Sequence, residues 1–328
     1  MAPSRPCPER GFALESYPLV IVAGPTGSGK SQIAMHLARM FDGEIVSCDA
    51  LQVYRGMDIG TAKATPSERQ AVPHHMLDLQ DPGEDFSAGD YQRLARQALD
   101  GIRRRGRIPF VVGGTGLYLR ALLLGLFEGP GRRKELRERM QKISRSRKAA
   151  SLHRILLRAD PISAGRISVA DTARIIRALE VYFLTGKPIS WWHNQPAQRL
   201  AGFRWLKLGI HWPRELLYQR INARANAMFE RGLIEEVRKL LDKFPRDCNA
   251  FKAIGYRQVS DYFANKLGFE QTIEEVQRQS RRYAKRQLTW FRADPEIVWL
   301  DGASGETSLT LEASAAVHTF IESSRLHG

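Results

Sequence analysis

The stretch Val22–Ser31, VAGPTGSGKS, constrains this chain more than any other. Gly24 to Ser31 follows G-x-x-x-x-G-K-S, in which glycines let the backbone curl until its N–H groups converge on phosphate oxygens. The run before it, PLVIVAG (Pro18–Gly24), is short, apolar and β-branched, and reads as a buried strand. The run after it, SQIAMHLARMF, has helical periodicity. A strand feeding a glycine loop that opens a helix sets an anion at the positive helix end. Lys30 adds a mobile charge, and the Ser31 hydroxyl is placed to hold Mg²⁺. Gly24, Pro25, Thr26, Gly27, Ser28, Gly29, Lys30 and Ser31 are therefore the candidate phosphate cradle. Which molecule carries the phosphates is a separate question.

Further strands are predicted at Glu44–Asp49 (EIVSCD), His75–Leu79 (HMLDL), Ile108–Gly114 (IPFVVGG), Arg204–Trp212 (RWLKLGIHW) and Glu296–Asp301 (EIVWLD). The first strands alternate with helical stretches, which implies βαβ units and a parallel sheet. From about Glu128 to Pro196 the pattern turns helical and basic, with no strand to separate the helices. The fold class is α/β: a P-loop NTPase-like core, its parallel sheet flanked by helices, plus an inserted all-helical domain. The expected divisions are a flexible tail (1–17), a first core part (18–127), a helical insertion (128–200) and a second core part (201–328).

Charge narrows the partner. Fifty Lys and Arg against 35 Asp and Glu give a net charge of +15, which favours a polyanion such as RNA, DNA or an anionic membrane surface. No apolar run approaches a membrane span, and the N-terminal residues lack the apolar core of a signal peptide. Cys7, Cys48 and Cys248 are odd in number and far apart, which fits a reducing cytoplasm better than a disulfide framework or a zinc site.

Hydrolytic P-loop proteins place a Mg²⁺-binding Asp at the end of a second apolar strand. Here IPFVV ends in Gly113-Gly114-Thr115, with no carboxylate. The carboxylate ends a different strand, as Asp49 in VSCDALQVYRG, where it can take a proton from a nucleophile or cap a helix. In HWPRELLYQRI, Arg214 and Arg220 fall in the first two turns of a helix begun by Pro213; they suit a departing diphosphate or are ordinary surface arginines. The segment Val276–Arg292 carries Arg278, Arg281, Arg282, Lys285, Arg286 and Arg292 with no acid. Arg278, Arg281, Arg282 and Lys285 share one helical face, which points to a nucleic-acid backbone rather than a solvated face.

These segments together resemble the tRNA dimethylallyltransferases (isopentenyl-diphosphate:tRNA transferases). The resemblance runs from about Pro18 to Asp301 through GPTGSGKS, DALQVYRGMDIGTAK, PHHMLD, VVGGTGLYLRALL, DTARIIRALEVYFLTGKP, RELLYQRI, KAIGYRQ and AKRQLTWFR. It implies transfer of a dimethylallyl group from dimethylallyl diphosphate to N6 of the adenosine 3′ to the anticodon, with diphosphate released and no nucleotide hydrolysed. By the same resemblance Asp49 is the general base, and Asp49, Ala50, Leu51 and Gln52 form a strip against the target adenosine. Thr115 sits near the bridging oxygen of the diphosphate, which the loop, Arg214 and Arg220 hold with Mg²⁺. Arg137, Arg174 and Arg177 of the insertion face the tRNA, as do Lys252, Gly255, Tyr256, Arg257 and the basic helix of the core. Ala50 and Ala173 depart from the polar residues common at those places. The implied partners are the tRNA anticodon stem-loop and dimethylallyl diphosphate, with no membrane and a monomeric enzyme. His74 and His75 fall in a family segment but read as structural.

The rival readings are a small-molecule P-loop kinase, an adenylate prenyltransferase acting on free AMP, and a non-catalytic RNA-binding module. The first two leave the basic insertion without a purpose. The third leaves Lys30 and Asp49 without one.

Overall fold

The structure, a computed structural model, describes residues 16–127, 129–147 and 149–325. The expected tail therefore lies outside the described residues up to 15, and Tyr17 already opens a strand. In chain order the elements are β1 (Tyr17–Ala23), α1 (Lys30–Met40), β2 (Gly43–Cys48), α2 (Pro66–Ala71), β3 (His74–His75), α3 (Ala88–Arg104), β4 (Ile108–Gly113) and α4 (Gly116–Leu124). Next come α5 (Lys134–Arg147), α6 (Ala149–Ala159), α7 (Pro161–Arg166), α8 (Thr172–Thr185) and α9 (Ile189–His193). The rest is β5 (Phe203–His211), α10 (Arg214–Glu230), α11 (Leu233–Leu241), α12 (Tyr256–Phe263), α13 (Phe269–Arg292), β6 (Ile297–Asp301) and α14 (Glu306–Arg325).

The strands form one sheet in the order β3-β2-β4-β1-β5-β6, every neighbouring pair parallel. A parallel sheet with helices on both faces needs apolar residues on both sides of each strand. In β1 this is met by alternation: Leu19, Ile21 and Ala23 enter one core, Val20 and Val22 the other. All five are essentially inaccessible, and burying a Val, Leu or Ile side chain contributes about 1.5–3 kcal/mol. Residues of α3, α4, α11, α12 and α13 fill the first face, and those of α1 and α14 the second.

Parallel register decides where the chemistry sits. Ala23 of β1 pairs with Gly113 of β4, and Gly113 pairs with Cys48 of β2. The chain therefore leaves all three strands at one level, so that Gly24, Gly114 and Asp49 emerge side by side at the carboxyl edge, where ligands of open α/β sheets bind.

One expectation about the elements changes. The strand expected over His75–Leu79 ends after His75, because Met76 and Asp78 take left-handed φ of 64° and 54°, which no strand tolerates. Asp78 instead turns to Lys63 and Arg69, at 2.7 Å and 2.6 Å. His75 is structural, its Nε2 2.6 Å from the buried Glu44 carboxylate, which Arg105 also grips; that guanidinium's hydrogen bonds hold Glu44 below the usual carboxylate range.

The chain divides into two compact units, Leu124–Arg199 forming the second. Among its described residues the regular elements are all helices, with a small core of Met140, Leu152, Leu156, Ile175, Ile176, Leu179 and Val181. Asp160 and Asp171 cap α7 and α8 by accepting from Ser163 N and Arg174 N. Among the described residues no helix is long and apolar enough to cross a membrane.

Candidate active site

The glycine loop is shaped from outside by side chains that take its carbonyls. Lys30 Nζ donates to Pro25 O (3.2 Å), Arg220 Nε to Gly27 O (3.0 Å), and Trp212 Nε1 to Ser28 O (3.0 Å). Carbonyls turned outward leave amides turned inward. Those of Gly27, Gly29, Lys30 and Ser31 make no bond to protein among the described residues, while Gly27 and Gly29 hold left-handed φ of 80° and 89°. The result is a concave row of donors at the head of α1, built for an anion.

Cations surround that row. Arg220 stacks over Trp212, 4.2 Å from the ring centroid, and the next turn of α10 brings Arg224 to Thr26 Oγ1 at 2.8 Å. The Nε of Arg224 is buried with no hydrogen-bond partner. Burial and the nearby Arg224 push the Lys30 amine down to about 8, against the opposing pull of Asp49. Burial likewise lowers Arg224. Cations crowded together at such cost suit an anion bound among them.

Opposite the cations stand Asp49 and Thr115. Asp49 directly follows β2 and caps no helix; one carboxylate oxygen accepts from Leu51 N (2.8 Å), and the other makes no hydrogen bond among the described residues. Thr115 opens α4, and its Oγ1 accepts from Ala50 N (3.2 Å), which leaves the hydroxyl proton to donate elsewhere. Gly114 beside it has no room for a carboxylate, since a Cβ there would lie 2.1 Å from the Gln287 amide. Tyr283 of α13 faces the same space: burial and the Asp49 charge push its hydroxyl up to about 12, against a hydrogen bond with Thr115. Gln287, a turn further along α13, accepts from Thr26 N (2.9 Å) and donates to Gly114 O (2.8 Å), tying the loop to the end of β4.

Residues 52–294 match the IPP transferase family, and residues 17–83 match the isopentenyl transferase family. The chain belongs to the IPP transferase family. It is similar to the tRNA dimethylallyltransferase of Solibacter usitatus (strain Ellin6076), 51% identical over 305 residues, covering 93% of this chain and 99% of the relative. Among solved structures it is similar to the full-length tRNA isopentenylpyrophosphate transferase of Bacillus halodurans (39% identity, TM-score 0.70, 95% and 98% of the two chains). It is also similar to a eukaryotic dimethylallyltransferase captured acting on tRNA (31% identity, TM-score 0.73, 88% and 74%).

In this IPP transferase the sequence-derived site residues fall into three groups. The loop from Gly24 to Ser31, Asp49–Gln52, Thr115 and Arg220 come together at the carboxyl edge of the sheet. Arg214 does not join them; it is exposed at the start of α10 with its guanidinium against Tyr218 (5.2 Å). Arg224 takes the place expected for it. The i, i+4 step from Arg220 was the signal in the sequence, since it places both on one face of α10.

The expected RNA-facing residues are the second group. Arg282, Lys285 and Arg286 on α13 are exposed without an acidic partner in ion-pair contact among the described residues, but Arg278 is paired with Glu275, just before the acid-free run. Arg281 turns to α10, donating to Asn222 Oδ1 (2.6 Å). Lys252 and Arg257 are exposed; Gly255 is buried. Tyr256 is not available to an RNA: it is fully buried and donates its hydroxyl to Glu236.

The third group lies in the insertion. Glu180, wholly buried, accepts from Arg137 Nε and Nη2 (2.8 Å each), from Arg177 Nη1 (2.8 Å) and from Arg133 N (2.8 Å). Those bonds outweigh burial and pull its carboxyl down to about 2. Arg137 and Arg177 are thus bound into the insertion's frame, whereas Arg174 is 75% exposed and pairs with Asp171.

Proposed function

We propose that this chain transfers a dimethylallyl group from dimethylallyl diphosphate to N6 of the adenosine 3′ to the anticodon of tRNA. What carries the reading is a phosphate cradle with three cations and no carboxylate at the end of β4, faced by Asp49 with one unengaged oxygen. Such a site holds a diphosphate that leaves and a base that receives a proton.

The adenine N6 lone pair is delocalised into the ring, so attack on the allylic carbon needs a good leaving group. N6 attacks C1 of the dimethylallyl group, the C1–O bond breaks, and its electron pair departs on the diphosphate. The loop amides, Lys30, Arg220 and Arg224 bind the accumulating charge, Thr115 donates to the bridging oxygen, and Asp49 takes the N6 proton. Mg²⁺ supplies further charge neutralisation when bound. Its fit follows from the donors: among the described residues no cluster of acids could hold a metal alone, so Ser31 and the diphosphate oxygens would share it, the usual habit of Mg²⁺. A base stacked in an anticodon loop must be flipped to reach Asp49, which RNA loops permit cheaply. Arg282, Lys285, Arg286, Arg257 and Arg174 are the exposed cations for the tRNA backbone. The free thiols and the RNA substrate suit a cytoplasmic protein working as a monomer.

The test is incubation with Mg²⁺, labelled dimethylallyl diphosphate and either tRNA or AMP. Label is expected on tRNA alone, and Asp49→Asn is expected to remove it by a factor on the order of 10²–10⁴ with tRNA affinity kept. Equal labelling of AMP, or ATP hydrolysis without transfer, overturns the reading.

A further inference from the structure

The segment GMDIGTAK (Gly56–Lys63) is distinctive in sequence, yet it supplies no group to the chemistry above. Its place in the fold gives it a task. Glu236 of α11 reaches across to it, and one carboxylate takes three consecutive backbone amides: Oε2 accepts from Asp58 N (3.0 Å) and Ile59 N (2.7 Å), Oε1 from Gly60 N (3.1 Å). Oε1 also accepts the Tyr256 hydroxyl at 2.6 Å. The Tyr256 ring lies so close over Gly60 that a Cβ there would stand 2.6 Å from it. Charge-assisted bonds to one half-buried carboxylate fix this turn more firmly than neutral ones could.

The turn's far side meets the site. Just past the clamp Ala62 holds a left-handed φ of 47°, a conformation an alanine keeps only where its surroundings impose it. The carbonyls so presented, Thr61 O and Ala62 O, accept from Gln52 Nε2 at 3.3 Å and 3.4 Å. Thr61 O also meets Arg224 Nη2 at 3.4 Å, although Arg224 has its firmer anchor in Thr26. Ser47 Oγ donates to Gln52 Oε1 at 2.7 Å, so the whole amide is oriented by protein, half of it through the clamped turn.

We propose that Glu236 and Tyr256 are positioning residues for prenyl transfer: they clamp Asp58–Gly60 so that the Thr61 and Ala62 carbonyls hold the Gln52 amide where the target adenosine enters. Glu236 acts in this way only if Gln52 meets that adenosine, as the proposed function has it. The clamp touches no reacting atom and works through Gln52.

Glu236→Gln turns an amide nitrogen toward backbone donors, and Tyr256→Phe removes one hydroxyl while keeping the ring over Gly60. Each is made alone and with Gln52→Ala, and three quantities are measured: kcat/KM for tRNA, the affinity for inorganic diphosphate by calorimetry, and the thermal unfolding midpoint. Glu236→Gln is expected to lower kcat/KM for tRNA about tenfold and Tyr256→Phe about threefold, the scale of a slightly misplaced substrate contact, with diphosphate affinity held within about twofold. In the Gln52→Ala background each should cost less than about twofold more, because the path it uses is already cut. Losses that multiply in full in that background, or equal losses in diphosphate affinity, overturn the clamp while leaving the site reading intact. If Gln52→Ala alone keeps full activity, the adenosine strip fails first and the clamp with it. Should Glu236→Gln not fold, Tyr256→Phe decides by the same comparison.

Discussion

Lys30 and Lys63 are two lysines of one core with opposite surroundings. Lys63 is completely buried and completely matched, its amine 2.6 Å from Asp58, 2.7 Å from Asp78 and 2.7 Å from Tyr54 O. Lys30 has one carbonyl, a repelling arginine and an amine pushed down to about 8. The insertion repeats the first pattern around Glu180, where arginines surround a buried acid. A buried charge with its partners present is framework; one whose partners are missing is a site prepared for a ligand.

Exchanging each lysine for methionine should separate the two. Lys30→Met is expected to cost on the order of 10²–10³ in transfer rate, the loss typical of a group that stabilises developing charge, with an unfolding midpoint unchanged or raised. Lys63→Met should instead lower stability by about 2–4 kcal/mol, less than the full cost of breaking a buried pair because Asp58 and Asp78 are partly hydrated. Thermal unfolding beside an activity assay reads both, and a destabilised Lys30→Met breaks the distinction.

The depressed Lys30 amine makes diphosphate binding depend on pH. A bound anion raises the amine again, so above about pH 8 binding must take up a proton. Affinity for dimethylallyl diphosphate is thus full below that value and falls as pH rises through it, by up to about tenfold per pH unit. Lys30→Arg stays charged and should lack this slope in calorimetric titrations. An identical slope in both proteins removes Lys30 as its source.

The smallest effect sharpens the same contrast on α13. Neutralising the unpaired Arg282 and Lys285 to glutamine should reduce the dependence of log affinity for tRNA on log salt by about 1.5–2, while Arg278→Gln, already paired with Glu275, leaves it nearly unchanged. Filter binding across a salt series measures both. Equal slopes for the two variants return α13 to a solvated face.

Residues whose meaning is local were legible in the sequence. The strand, glycine loop and helix around Lys30 announce themselves by spacing, and the alternation in β1 follows from a sheet covered on both faces. Residues whose meaning comes from a distant partner were not. Glu180 reads as one more polar residue of a basic helix until three arginines close on it with four donors. Gln287 carries no charge or pattern, yet joins Thr26 to Gly114 across 261 and 173 positions of sequence. Met76 and Asp78 take left-handed backbones that apolar periodicity cannot foretell. Arg224 was legible too, four residues beyond Arg220 and so on the same face of α10, whereas Arg214, six residues before Arg220, is not.

The chain leaves the core at Leu123 and returns at Leu200, where Leu200 N donates to Leu123 O at 2.9 Å. To the core, everything between is one closed loop, its two ends joined by that backbone bond. The entropy of closing such a loop grows only with the logarithm of its length. Helices can therefore be gained or lost between those two leucines at little cost to the sheet, which lets the helical unit change size while the sheet stays as it is.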